Sequence, residues 1–329
     1  SGETVGTGTI QEYFAYVRDC AHLDFTSHAA NDFQITDDFW ETIRETVQEF
    51  NDPEEFVTFL CYEWSPNTTV GGDHNVYFRG DETEIHRSSS WQIADGYEKH
   101  EGTHPVSALY DRYEGRDDVL LIPHQGGRPA TLELVDSDLT PFVEIGSVWG
   151  IFEWYGEGAL ERSDVGFVGG SDDHTGRPGA SYPTNKADWA FPIKGPVMAA
   201  RADDLTRDGL WNAFTGRQVY ATTGARCYLD VQVGDGDGTT VGMGRETTVE
   251  GAPTVDVTVN GTAPIRRVDL FRGGDRVATE SFVEGDDRVE VRWTGARGKD
   301  RHKVQDWSGS LGLDRGRIAA VSEDGPLAG

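Results

Sequence analysis

Six side chains able to bind a divalent cation fall at or beside the ends of short apolar runs. His28 follows Leu23 to Thr26, Glu63 follows Phe59 to Tyr62, and His124 follows Leu120 to Pro123. Asp172 and His174 follow Val165 to Gly170, while His74 opens a further run and Glu144 lies inside another. A single His at such a place is usually a satisfied structural residue. Imidazole or carboxylate delivered by several runs to one rim points instead to a metal centre. Nitrogen and oxygen donors without thiolate suit Zn, Mn or Fe, and there are more of them than one ion takes, so two or three ions are expected. Such a centre activates water and clamps a phosphate oxygen, which makes phosphoester hydrolysis the leading expectation.

The densest signal is Gly169-Gly170-Ser171-Asp172-Asp173-His174, where small residues let the chain turn and Asp172 and His174 stand two apart. Arg128 lies four residues after His124, and Arg177 three after His174. A guanidinium there either steadies an anionic substrate or neutralises nearby carboxylates. Trp64 and Tyr155 follow apolar runs and read more readily as packing than as pocket walls. His22, His86, His100, His104 and His302 fall outside the pattern and read as surface or structural residues.

These side chains need elements to hold them. The runs Leu23 to Thr26, Phe56 to Tyr62, Val76 to Phe78, Val119 to Ile122, Phe142 to Ile145 and Val165 to Val168 are apolar at consecutive positions, as in strands buried on both faces of a parallel sheet. Between them, Thr9 to Asp19, Asp37 to Phe50, Pro105 to Tyr113 and Asp203 to Phe214 have helical spacing, with Asp37 or Asp38, and Asp203, as expected N-caps. Alternating strand and helix predicts an α/β fold, most simply a barrel, with an open doubly wound sheet as the alternative. After about residue 222 the pattern becomes alternating strands at Tyr228 to Val233, Thr254 to Val259, Val268 to Arg272 and Val289 to Trp293. A second, all-β domain over 223–329, sandwich-like, is expected after a hydrolase domain over 1–222.

The chain of 329 residues carries 57 Asp and Glu against 29 Lys and Arg, a formal charge of −28. Only five of the basic residues are Lys, and the balance reads as that of a protein from a high-salt organism, where screening removes the self-repulsion, with an ordinary acidic protein as the alternative. Such a chain repels phosphate backbones, so nucleic acid is not an expected partner. No apolar run is long enough to span a bilayer and no leader is evident, so a soluble and more readily cytoplasmic protein is expected, with secretion left open. Cys20, Cys61 and Cys227 fit neither a disulfide framework nor a zinc cluster and are expected to be free core thiols.

At these residues the sequence resembles the PHP superfamily, the polymerase and histidinol phosphatase metal-dependent phosphoesterases, and in particular an uncharacterised PHP-related family. The segments are Leu23-Asp24-Phe25 with His28 to Phe33, Cys61-Tyr62-Glu63-Trp64-Ser65, His74 to Phe78, Ile122-Pro123-His124 and Gly170 to His174. The resemblance covers roughly residues 1 to 225 and implies a distorted (β/α)7 barrel with up to three metal ions. The family usually carries Thr-Asp-His after its equivalent strand, so here His28 or Asn31 fills that ligand position. The family's opening His-x-His pair is missing, and the chain reads as starting one strand late, through trimming or true loss. The stretches Thr222 to Arg226 and Arg292 to Gly295 resemble the family's C-terminal β region.

The expectation is therefore a divalent-metal hydrolase of a small anionic ester, with metal ligands among His28, Asn31, Glu63, His74, His124, Asp172 and His174, and with Arg128 or Arg177 on the anion. Hydrolysis of C–N or C–O bonds uses the same ligands. A non-catalytic binding protein with a degenerate site is the reading from another class.

Overall fold

The computed structural model describes residues 8–81, 83–89, 93, 104–181, 184–186, 189–191, 194–235, 238–282, 312 and 317. His100, His302 and the expected strand Val289 to Trp293 lie outside them, as does the Arg292 to Gly295 stretch.

The chain is mixed α/β. In order it forms α1 (Ile10–Asp19), β1 (Phe25–Ser27), α2 (Asp37–Phe50), β2 (Val57–Trp64), β3 (His74–Phe78), α3 (Val106–Tyr113), β4 (Val119–Pro123), β5 (Phe142–Ser147), β6 (Gly150–Ile151), α4 (Glu153–Leu160) and β7 (Gly166–Gly169). There follow β8 (Thr184–Lys186), β9 (Trp189–Phe191), β10 (Val197–Ala200), α5 (Arg207–Thr215), β11 (Val219–Thr222), β12 (Tyr228–Gly234), β13 (Thr240–Gly242), β14 (Thr254–Asn260), β15 (Arg267–Arg272) and β16 (Asp275–Ser281).

The strands build several small sheets, the largest in the order β1-β2-β3-β4. Only β1 and β2 pair in parallel there; β2–β3 and β3–β4 are antiparallel, contrary to the all-parallel expectation. The reason is the short return from Trp64 to His74, because a parallel pair needs a crossover of a dozen or more residues. A second sheet places β5 between β6 and β7, with β5 and β7 parallel. The His124–Glu144 bridge links the end of β4 to β5, and β11, paired to β10, lies against β7. No closed barrel is formed by the described strands: β1 pairs only with β2, and a cavity of about 460 Å³ lies between β1 and the β10–β11 pair.

Helix α2 shows how the sequence seats these sheets. Trp40, Ile43 and Val47 recur at helical spacing and are buried, giving one apolar face that packs on β2. Burial of each such side chain contributes about 1.5–3 kcal/mol. Its N-cap is Thr36, whose hydroxyl accepts from Phe39 N, and not Asp37 or Asp38; those two lie in the first turn, where their charge suits the helix dipole. Likewise Thr206, not Asp203, caps α5. Thr9 and Glu12 form a reciprocal capping box on α1.

The C-terminal part is all antiparallel strand among the described residues: a sheet ordered β13-β12-β14 and the separate hairpin β15–β16. β13 and β16 were not among the expected strands. Of the three cysteines only Cys61 is a core thiol, since Cys20 is exposed and Cys227 half-buried. No helix among the described residues is long and apolar enough to cross a membrane.

Candidate metal centre

The antiparallel course of β3 explains how His74, at the start of a strand, joins residues at strand ends. In register, His74 pairs with Trp64 at the end of β2 and with Pro123 at the end of β4. One edge of the sheet therefore carries Glu63, His74 and His124 together. His124 in turn faces Glu144 of β5, with Nδ1 3.8 Å from Oε1.

His28, Glu63, His124, Glu144 and Asp172 line the same cavity, together with Tyr13, Asn75, Tyr77 and Asp173. His124 is buried, and neither ring nitrogen has a hydrogen-bond partner; His28 Nδ1 is also shut from solvent without one. Buried polar atoms are ordinarily paired, and since a neutral imidazole has one lone-pair nitrogen, His28 and His124 can each offer one donor to a cation in the cavity. Glu63 receives Ser65 Oγ at 2.7 Å and Arg128 Nη2 at 3.2 Å, both on Oε1.

His74 and His174 do not line the cavity, but each turns Nδ1 to a backbone carbonyl, Gly72 O at 2.9 Å and Asp172 O at 2.7 Å. That contact fixes the proton on Nδ1 and leaves Nε2 as the lone-pair nitrogen, the arrangement ligating histidines use. Asn31 is buried and donates through Nδ2 to Ser65 Oγ at 3.0 Å, which places it behind Glu63. Asp172 has a left-handed backbone, φ 44°, and accepts from the Trp149 indole N–H. A non-glycine residue in that region carries strain of about 1–3 kcal/mol, a cost that concentrates at functional sites.

Electrostatics separate the carboxyls. Burial, with Asp172 and Glu63 nearby, pushes Glu144 well above the usual carboxylate range. Burial also raises Asp172, against the pull of His174. For Glu63 burial acts the same way, but His124 and Arg128 outweigh it and hold the group below its ordinary value. Burial drives His28 down to about 3 and His74 down to about 4, so both are neutral, as a ligating imidazole must be.

Neither expected anion-binding arginine lines the cavity. Arg128 Nε and backbone N bind Asp73 at 2.8 and 2.7 Å, and its ring-facing carbon lies 5.2 Å from the Phe33 centroid. Arg177 is exposed, with its backbone N on Asp173. Trp64 and Tyr155 are wholly buried in separate apolar clusters, as packing residues.

Sequence reasoning missed Asp73, which is fully buried and, with Glu63 and His124, offers ligand atoms within 4.8 Å of one another. Its signal was the preceding Gly71-Gly72 pair. Gly72 has φ 73°, and a Cβ there would collide with the Pro129 carbonyl, so this tight turn delivers Asp73 to the site. It also passed over Asp32, which is fully buried, accepts from the Ser65 and Ser88 amides, and is raised by burial to about 7.

Residues 3–129 match the family described as a protein family of unknown function, DUF3604. The chain is 23% identical over 302 residues to an uncharacterized protein of Chlamydia pneumoniae, covering 82% of this chain and 46% of that protein. It is 22% identical over 304 residues to an uncharacterized protein of Chlamydia muridarum, covering 83% and 46% respectively. The chain thus spans about half the length of the curated relatives it matches. No solved structure matches it. These matches carry no PHP assignment.

Proposed function

We propose that the cavity between β1 and β10–β11 is a divalent-metal centre and that the protein is a hydrolase of a small anionic ester, phosphoesters foremost. The observation that carries this reading is His124, buried with both ring nitrogens unpartnered in a cavity shared with Glu63, Glu144 and Asp172. His28, Glu63, His124, Glu144 and Asp172 would hold Zn, Mn or Fe, with His74 and His174 oriented to add Nε2. The strand circuit supports a distorted, open (β/α)7 arrangement of the PHP kind: β1 to β4, then β5, β7 and β11, adjacent in turn.

Bound divalent ions would supply Lewis acidity and lower the pKa of a water in the site. The chain's own residues do the rest. Glu63, Glu144 and Asp172 bring three carboxyls to the cavity, Arg226 lines it, and Arg128 and Arg177 stand outside its lining, so an anionic ester would be favoured once bound cations offset the carboxylates. Burial raises Glu144 in the metal-free chain, and a bound cation would reverse that shift by favouring its carboxylate. Tyr13 and Tyr77, kept protonated by burial, line the same cavity with their hydroxyls on Ser27, Tyr13 donating to its carbonyl and Tyr77 accepting from its Oγ.

Elemental analysis of protein purified without chelator or affinity metal should find at least one equivalent of Zn, Mn or Fe. A panel of phosphate esters, amides and lactones should then show turnover of the phosphate esters. Protein that neither retains nor takes up any of these metals overturns the reading. Turnover confined to amides or lactones would place the same ligands on a carbonyl carbon. The binding-protein reading draws on one observation, that Arg128 already neutralises part of the acidic cluster, and it predicts metal or ligand binding without turnover.

A further inference from the structure

The Glu63, Asp73 and His124 cluster has the makings of a cation position, but a cation-bearing side chain already stands in it. Arg128 Nε donates to Asp73 Oδ1 at 2.8 Å, and Nη2 donates to Glu63 Oε1 at 3.2 Å. His124, the third member, is 1% exposed and keeps both ring nitrogens unpartnered. Its imidazole cannot accept from the guanidinium while remaining unpaired, so Arg128 satisfies the two carboxylates and leaves the nitrogen donor unused. A divalent ion within the 4.8 Å cluster would satisfy all three, but it would lie against the guanidinium in a buried setting where like charges repel strongly.

We infer that Arg128 holds the place of a metal ion: Glu63, Asp73 and His124 form a cation site that the guanidinium closes, and guanidinium and ion occupy it alternately. This rests on the metal reading of the adjoining cavity only in sharing Glu63 and His124 with it. Two features suit the exchange. The Arg128 side chain is 23% exposed, so it has a route to solvent, whereas the Asp73 side chain is 0% exposed. The backbone N of Arg128 binds Asp73 Oδ2 at 2.7 Å, so departure of the guanidinium leaves Asp73 anchored with Oδ1 released to the ion. Arginine suits this role because its planar fork spans two carboxylates, as an ammonium does not.

The test is calorimetric titration of the chain and of Arg128→Gln with Mn²⁺, after removal of metal by chelation. At limiting Mn²⁺, Arg128→Gln should bind one equivalent more than the parent, which takes up that equivalent only at higher concentration, and adding Asp73→Asn to the variant should remove it. Equal stoichiometry and equal affinity in parent and Arg128→Gln, with metal bound by both, overturn this inference and leave the metal centre of the cavity standing. Binding by Arg128→Gln alone overturns the cavity reading and keeps the exchange site. Should Arg128→Gln unfold without metal, Mn²⁺ should restore its circular dichroism spectrum and thermal transition. A variant that stays unfolded in excess Mn²⁺ shows that an ion cannot replace the guanidinium, and overturns the inference.

Discussion

His124 Nδ1 stands 3.8 Å from Glu144 Oε1, across the bridge that joins β4 to β5, and it makes no hydrogen bond. The pair is too far apart for a direct bond and too buried for bulk water to serve both groups. Replacing Glu144 by Gln keeps the shape and removes the charge. Metal affinity should fall by about 10- to 100-fold or more, measured by calorimetric titration, with little change in the apo protein's thermal midpoint. Unchanged affinity would remove Glu144 from the centre.

Gly170 lies against that same carboxylate: a Cβ at position 170 would press into Glu144 Oε2. Gly170→Ala should therefore displace Glu144 and weaken metal binding, at a stability cost of about 1–3 kcal/mol. Gly72→Ala meets backbone instead, the Pro129 carbonyl, and adds a left-handed φ of 73°. It should be the more destabilising of the two in denaturant unfolding.

His28 and His74 should each contribute stability that is lost with acid in the metal-free protein. Burial holds His28 near 3 and His74 near 4 in the folded chain, against 6.5 for the ordinary group. Below 6.5 the unfolded chain takes up protons that the folded one refuses. The stabilisation is therefore complete above 6.5 and is lost toward 4 and 3, by up to about 1.4 kcal/mol per pH unit for each His. The raised Asp32, Asp73, Glu144 and Asp172 act in the opposite sense, so the comparison that isolates the imidazole is parent against His74→Gln. Urea midpoints at constant salt between about pH 5 and 7 should have a less positive slope against pH in the variant.

A formal charge of −28 should make folding depend on salt. Raising NaCl from about 0.1 M to 1 M shortens the screening length from about 10 Å to 3 Å and relieves surface repulsion. The thermal midpoint should rise across that range, and a midpoint that falls or stays level would count against the high-salt reading.

Thr36→Ala removes the hydroxyl that accepts from Phe39 N at 3.1 Å. The loss should be about 1 kcal/mol in equilibrium unfolding, while Asp38→Asn should cost only a few tenths through the helix dipole.

The sequence by itself determined the elements and most of the donor types. Periodicity located α1, α2 and α3, and short apolar runs rich in Val, Ile, Leu and Phe located β2, β4 and β5, almost to their ends, because a buried helix face imposes a spacing of about 3.6 residues and a strand buried on both faces a short continuous run. It also picked out His28, Glu63, His124 and Asp172, which line one cavity, because each sits where an apolar run stops. Pairing direction was not legible, since a consecutive apolar run is the same whether its neighbour runs with it or against it. The short return from Trp64 to His74 decided that only once β2 and β3 were paired. Asp73 and the placement of Arg128 were decided by tertiary structure alone. Their ion pair joins residues 55 positions apart, and local spacing carries no trace of a contact that the Gly72 turn and the sheet register create together.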